Sequence, residues 1–224
     1  AEALSIAKGA GLKLALHAGE IRGPESIRDA VRLGASRVGH GVSAPQDPSV
    51  MKELAQKNVM VEVCPTSNRI LVGEIKGDLA NHPARKLYDA GIRISINPDD
   101  GGIFGTQTGK EHRISAEKFG FSKAEMYDIT LCAVENAFVD VATRKQLKEN
   151  IYKRMTPEDR KEMAEAAEKA ENPVLKNRLA VRVEESGKVA KKLELQKRRA
   201  KTMASMKNGK KLSSILLSHK SMKR

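Results

Sequence analysis

From residue 12 to about residue 96, short apolar runs alternate with amphipathic stretches. The runs at 12–17 (LKLALH), 36–40 (SRVGH), 59–63 (VMVEV) and 92–96 (IRISI) are too short for helices and rich in Val, Ile and Leu. They predict β-strands. The stretches between them carry helix punctuation: Pro24 suits a first helical turn and Gly34 ends that segment, Asp47 and Pro48 precede SVMKELAQK, and residues 83–88 lead to Gly91. Strand, helix and strand in this rhythm predict βαβ units and a parallel sheet. AEALSIAKGAG at the start reads as the end of a helix closed by Gly9. No exact sequence repeat accompanies the recurring unit.

After Asp100 the pattern becomes helical. Ser122 with Glu125 forms a capping-box signature before KAEMYDITLCAVENAF, and Thr156, Pro157 and Asp159 open a charged segment rich in Ala, Glu and Lys. From about Ser186 the chain is basic and partly helical, without aromatic residues. The expected organisation is α/β, with three parts: residues 1–150, a charged helical extension at 151–185, and a basic tail at 186–224, helical or disordered.

The net charge of +13 on 224 residues divides unevenly along these parts. Residues 1–150 hold 20 basic and 19 acidic side chains, residues 151–185 hold 8 and 8, and residues 186–224 hold 13 and 1. A pI near 9.8 would ordinarily suggest a nucleic-acid partner. Here it describes a tail on a nearly neutral body. The expectation for that tail is a solvated helix or, alternatively, nonspecific nucleic-acid contact: without aromatics it could hold phosphates but not stack on bases. No apolar run approaches the roughly 18 residues of a membrane span. Cys64 and Cys132 are too few for a disulfide framework or a tetrathiolate metal site. They read as small buried apolar residues in a reducing, cytoplasmic setting.

In a parallel α/β fold the carboxyl ends of the strands carry the chemistry. Just past the four strands stand HAGE (His17, Ala18, Gly19, Glu20), GHG around His40, CPTSN (64–68) and NPDD (97–100). These residue types suit a mononuclear zinc hydrolase. His17 and Asp99 are ordinary zinc ligands, and Glu20, three residues beyond His17, could hand a proton to substrate. His40 could accept a proton from the attacking water or hold the hydroxide. Asp100 could receive a hydrogen bond from a ring nitrogen. Each also has a plain structural reading: a lone strand-end histidine is commonly a satisfied core group, and paired aspartates often cap a helix. His82, before Pro83, has no partner that the sequence names.

With HAGE, GHG, VEVCPTSN, and SINPDDGGIFGT followed by Glu111, the chain resembles the adenosine deaminase family of the amidohydrolase superfamily over roughly residues 1–150. The resemblance implies a (β/α)8 barrel with one zinc ion that hydrolyses the 6-amino group of a purine nucleoside, giving inosine and ammonia. It implies His17 and Asp99 as zinc ligands, Glu20 as proton donor to purine N1, and His40 as the group that activates the zinc-bound water. It also implies Asp100 and Gly19 as substrate contacts, Asp100 at purine N7. Ala18 and residues 104–106 (FGT) favour nucleoside enzymes over AMP deaminases, while adenine deaminases share most of these motifs.

The chain departs from the family at Pro98, where Thr is usual, at Gly101, where Pro is common, and at His112, where Tyr is usual. It contains no His-x-His pair to complete the zinc ligands, and it has four strand-like runs where the barrel needs eight. The resemblance therefore implies the C-terminal half of a barrel whose partner would be the missing N-terminal half. By itself, the chain is expected to bind zinc weakly and to have negligible deaminase activity. The alternative is a non-catalytic half-barrel scaffold tethered to RNA or a large assembly through the basic tail.

Overall fold

The computed structural model describes the backbone of residues 2–221 and the side chains of residues 2–201. Four parallel strands, β1 (Leu14–Ala18), β2 (Ala35–His40), β3 (Met60–Val63) and β4 (Ile94–Ile96), form one sheet in the order β1-β2-β3-β4. The four apolar runs mark them to within about two residues. The register sets His17 beside Gly39, Ala18 beside His40, and Val63 beside Ile96. Strand ends are thereby gathered along one rim of the sheet.

Helix α1 (Glu2–Gly9) precedes β1, and the crossovers use α2 (Pro24–Arg32), α3 (Pro48–Gln56), α4 (Pro65–Leu71) and α5 (Ala84–Asp89). In α2, Pro24 occupies the first turn, and Ile27, Ala30 and Val31 bury one face. In α3, the Asp47 side chain accepts from the Ser49 backbone N–H at 2.8 Å while Val50 and Leu54 enter the core. These side chains pack with Val38, Val61, Val63, Ile94 and Leu87.

Alternation along the strands separates two faces. Leu14, Leu16 and Ala18 turn toward the helices, whereas Ala15 and His17 are exposed on the other side. That second face is polar, with an Arg37–Glu62 ion pair at 3.0 Å joining β2 to β3. Among the described residues nothing else completes the sheet beyond β1 or β4. This is four strands' worth of a barrel, with one apolar wall and one open polar wall.

The helical half comprises α6 (Gly101–Phe104), α7 (Thr108–Phe119), α8 (Lys123–Glu135), α9 (Val141–Arg154), α10 (Pro157–Lys169) and α11 (Pro173–Ser221). Both capping boxes form, Ser122 with Glu125 and Thr156 with Asp159. Helices α8 and α11 meet across a buried ionic cluster. Asp128 accepts from Arg178 Nε at 2.9 Å and from Arg182 Nε at 3.0 Å. Arg182 also pairs with Glu135 at 2.5 Å, and Arg178 Nη1 reaches the Gly91 carbonyl at 2.8 Å, just before β4.

Helix α11 runs unbroken through residue 186 into the basic tail. Lys188, Lys191, Lys192, Lys197, Arg198, Arg199 and Lys201 are exposed on it. The tail's side chains beyond residue 201, His219 among them, lie outside the described residues, so its expected disorder or polyanion contact is described only this far. No helix among the described residues is long and apolar enough to cross a membrane.

Candidate active site

Three of the strand-end residues converge. His17, His40 and Asp99 each offer a ligand atom, and these atoms lie within 4.8 Å of one another. The two imidazole rings stand 4.9 Å apart between centroids, tilted by 49°. Gly39, the β2 neighbour of His17, makes room for this: a Cβ there would lie 3.3 Å from His17 Cγ.

Backbone strain marks the same place. His40 has φ 67° and Asp99 has φ 57°. Left-handed backbone costs a non-glycine residue of order 1–3 kcal/mol and is retained where surrounding structure dictates it. Here it turns His40, at the end of β2, and Asp99, three residues past β4, toward a common point.

The neighbouring groups differ in what they are free to do. Glu20 Oε1 lies 3.5 Å from His40 Nδ1, and this buried oxygen has no hydrogen-bond partner among the described residues. Burial lowers the His40 pKa, with the Glu20 charge opposing that shift. Asp99 Oδ2 accepts from Ser67 Oγ at 2.7 Å, which fixes the carboxylate. Asp100 caps α6 by accepting from the Ile103 backbone N–H at 3.1 Å, the structural role that paired aspartates commonly play. Gly19 uses both backbone groups within the protein: its N–H donates to Ser26 Oγ at 2.9 Å and its carbonyl accepts from the Ser43 N–H at 2.8 Å. Its φ of 70° and a hypothetical Cβ only 2.5 Å from Ile27 Cδ1 explain why glycine stands there.

Two imidazoles and a carboxylate make a donor set that fits zinc, and the unpartnered Glu20 oxygen supplies an acid–base group beside it. The geometry leaves His40 two roles, as a third ligand or as the group facing an attacking water.

Several residues at this site had no role readable from the sequence. His82 lies between β3 and β4, 6% exposed and stacked on Phe119 at 4.9 Å. Its Nδ1 accepts from the Ala84 N–H at 3.0 Å, and its Nε2 lies 3.2 Å from Asn68 Oδ1. Asn68 Nδ2 in turn lies 3.0 Å from His40 Nδ1. Burial lowers the His82 pKa to about 3, so the ring is neutral.

Glu111 on α7 is fully buried and accepts from the Thr66 N–H at 3.0 Å, Thr66 Oγ1 at 2.5 Å, and Thr106 Oγ1. It binds the start of α4 and the loop after α6 together. Only its place downstream of the paired aspartates hinted at a role. Cys64 and Cys132 are buried as expected, and burial raises both thiols, Cys132 to about 12.

The chain is similar in sequence and fold to known proteins. The chain is 45% identical over 148 residues to an adenine deaminase of Agrobacterium fabrum, covering 66% of this chain and 45% of that protein. The crystal structure of adenine deaminase from Arthrobacter aurescens superposes with a TM-score of 0.63 at 26% identity, covering 67% of this chain and 46% of that one. An amidohydrolase from Burkholderia ambifaria, crystallised with bound zinc, shares the fold at a TM-score of 0.62 and 24% identity, covering 80% and 46%. The chain thus spans about half the length of the relatives it matches. A family model described as adenosine deaminase matches residues 1–154, and with the strand-end cluster in place the chain belongs to the adenosine deaminase family, carrying the C-terminal half of its barrel.

Proposed function

We propose that this chain supplies the C-terminal half of the active site of a zinc-dependent deaminase that hydrolyses the amino group of an adenine-type compound. The convergence of His17, His40 and Asp99, with Glu20 against His40, carries this reading. Zinc, when bound, supplies a Lewis acid that makes an attacking water acidic near neutral pH.

His17 and Asp99 would hold the ion, with Ser67 fixing the Asp99 carboxylate. His40 faces the attacking water. Glu20 hands a proton to the ring nitrogen beside the amino-bearing carbon, water supplies the carbonyl oxygen, and of the water's two protons one leaves with the amino group as ammonia and the other returns to Glu20. Adenine would give hypoxanthine, and adenosine would give inosine. The relatives' name favours the free base over the nucleoside that the motifs imply. Asp100, exposed at the head of α6, has one carboxylate oxygen on its cap and the other available for a purine contact.

The test is a zinc titration with a spectrophotometric assay on adenine and on adenosine. It is run on the chain alone and on the chain mixed with the N-terminal half of the Agrobacterium fabrum relative. Weak zinc binding and negligible turnover alone, with both restored in the mixture, are expected. No zinc and no turnover in the mixture would sink the proposal, and ordinary turnover by the isolated chain would sink its half-site part.

A second reading, a scaffold held to RNA by α11, rests on the exposed cations between Lys188 and Lys201. It requires RNA binding that weakens steeply with salt and a strand-end site that takes no zinc in either sample.

A further inference from the structure

The two roles left open for His40 are separated by a hydrogen-bond chain behind it. The chain begins at a group whose direction is fixed. The Ala84 backbone N–H can only donate, so His82 Nδ1, 3.0 Å away, must accept. The single proton of the neutral His82 ring therefore sits on Nε2 and is donated to Asn68 Oδ1 at 3.2 Å.

With its oxygen committed to His82, the Asn68 amide presents its NH2 to His40 Nδ1 at 3.0 Å. An N···N contact of that length needs a lone pair on one side, and the amide nitrogen has none to offer. Reversing Asn68 would set its NH2 against the His82 Nε2–H, two donors facing each other. His82 cannot relieve that clash, because its other nitrogen already faces a donor. The sequence of donors and acceptors runs one way from Ala84 to His40.

We propose that Asn68 and His82 are positioning residues that fix the tautomer of His40, leaving its Nδ1 as acceptor and placing its proton on Nε2. Among the described residues no group takes Nε2. Following the proposed function, an Nε2–H donates a hydrogen bond to the attacking water. It cannot simultaneously be a metal ligand, which needs the Nε2 lone pair. The three-residue cluster then divides into two ligands, His17 and Asp99, and one water-orienting donor.

The surroundings favour such a directional chain. His40, Asn68 and His82 are 2%, 0% and 6% exposed, so water is poorly placed to swap the donors and acceptors. Asn68 is held in the first turns of α4, where its N–H donates to the Cys64 carbonyl at 2.9 Å, and Phe119 stacks on the His82 ring. Glu20 is the competing acceptor for a His40 Nδ1–H, but it lies farther away, at 3.5 Å.

The experiment is long-range 1H–15N NMR of the histidine rings in the full 224-residue chain, with His40 and His82 among the five histidines assigned from His40→Gln and His82→Gln variants. Both rings are expected to show the Nε2–H pattern. Asn68→Asp, whose carboxylate accepts from both rings, should invert His40 to Nδ1–H while His82 stays unchanged. His82→Leu should give a mixture of His40 tautomers, and His82→Gln, which keeps a donor at the Nε2 position, should restore the single form.

A wild-type His40 carrying its proton on Nδ1 would overturn the proposal without any variant having to fold. So would a folded Asn68→Asp chain with His40 unchanged, or loss of the His40 Nε2–H on adding zinc. The same samples taken without zinc report the tautomer whether or not the chain binds metal, so failure of the deaminase reading and failure of this one are told apart.

Discussion

Polar side chains are buried in two regions of this chain, and the two are settled in opposite ways. At the seam between α8 and α11, Asp128 and Glu135 are matched to Arg178, Arg182, Arg93 and Lys148, acid against base. At the strand rim, His40, Asn68 and His82 are satisfied by neutral hydrogen bonds, while Glu20 keeps a buried oxygen without a partner. Both carboxylates of the seam are fully engaged by cations, and its buried atom without a partner is a donor, Arg178 Nη2, rather than an acceptor. Strain, an idle carboxylate oxygen and convergent lone pairs distinguish the rim. Burial of charge alone would point to the seam rather than to the rim.

The largest expected effect sharpens this contrast. Asp128→Ala removes the acidic partner of buried Arg178 and one of the two of buried Arg182, and should cost about 3–5 kcal/mol in urea unfolding. Asp99→Ala, at an exposed and strained position, should cost far less and change zinc titration instead. If the two variants lose stability equally, the contrast fails.

Next is Ser67→Ala, which frees the Asp99 carboxylate and should weaken zinc binding by roughly 10–100-fold, read by titration against the parent chain. An unchanged affinity would remove Asp99 from the ligand set or Ser67 from its support.

The seam should also show itself in pH dependence. Burial raises the Glu135 pKa, but hydrogen bonds and charges from Arg182 and Lys148 outweigh it and bring the carboxyl from an ordinary 4.5 to about 2. A folded-state pKa below the unfolded one gives stabilisation that is complete above pH 4.5 and lost as pH falls toward 2. Unfolding midpoints should drop through that window, and Glu135→Gln should flatten the drop.

The smallest effect is at the Ser122 cap of α8, where Ser122→Ala should cost about 1 kcal/mol without altering zinc binding. It lies on the helical side of the comparison and serves as its control.

The sheet was legible because its strands are Val- and Ile-rich and bounded by Pro, Gly and Asp. His17, His40 and Asp99 were legible because they fall at or just past the carboxyl ends of strands, where a parallel fold gathers its loops. Helix α4 escaped notice because its buried residues include Thr66, Ser67 and Asn68, which break any apolar stripe. The link from Asn68 to His82 spans 14 residues and two elements, so no local periodicity carries it. In the sequence, Arg178 and Arg182 read as part of a charged helical extension. Their burial depends on Asp128, 50 and 54 residues away, which only the packed structure reveals.

The outer strands β1 and β4 run in the same direction, and this restricts what can complete the sheet. Closure into a barrel of parallel strands would need parallel strands at both margins at once, in a register that carries their polar face inward. A complementary half supplied as a separate chain would close two seams rather than one, and after the first seam forms the second would be an intramolecular event, worth about 10²–10⁴-fold in affinity over either alone. Recognition of the complementary half becomes a matter of span and direction, as with a clasp whose two ends must meet.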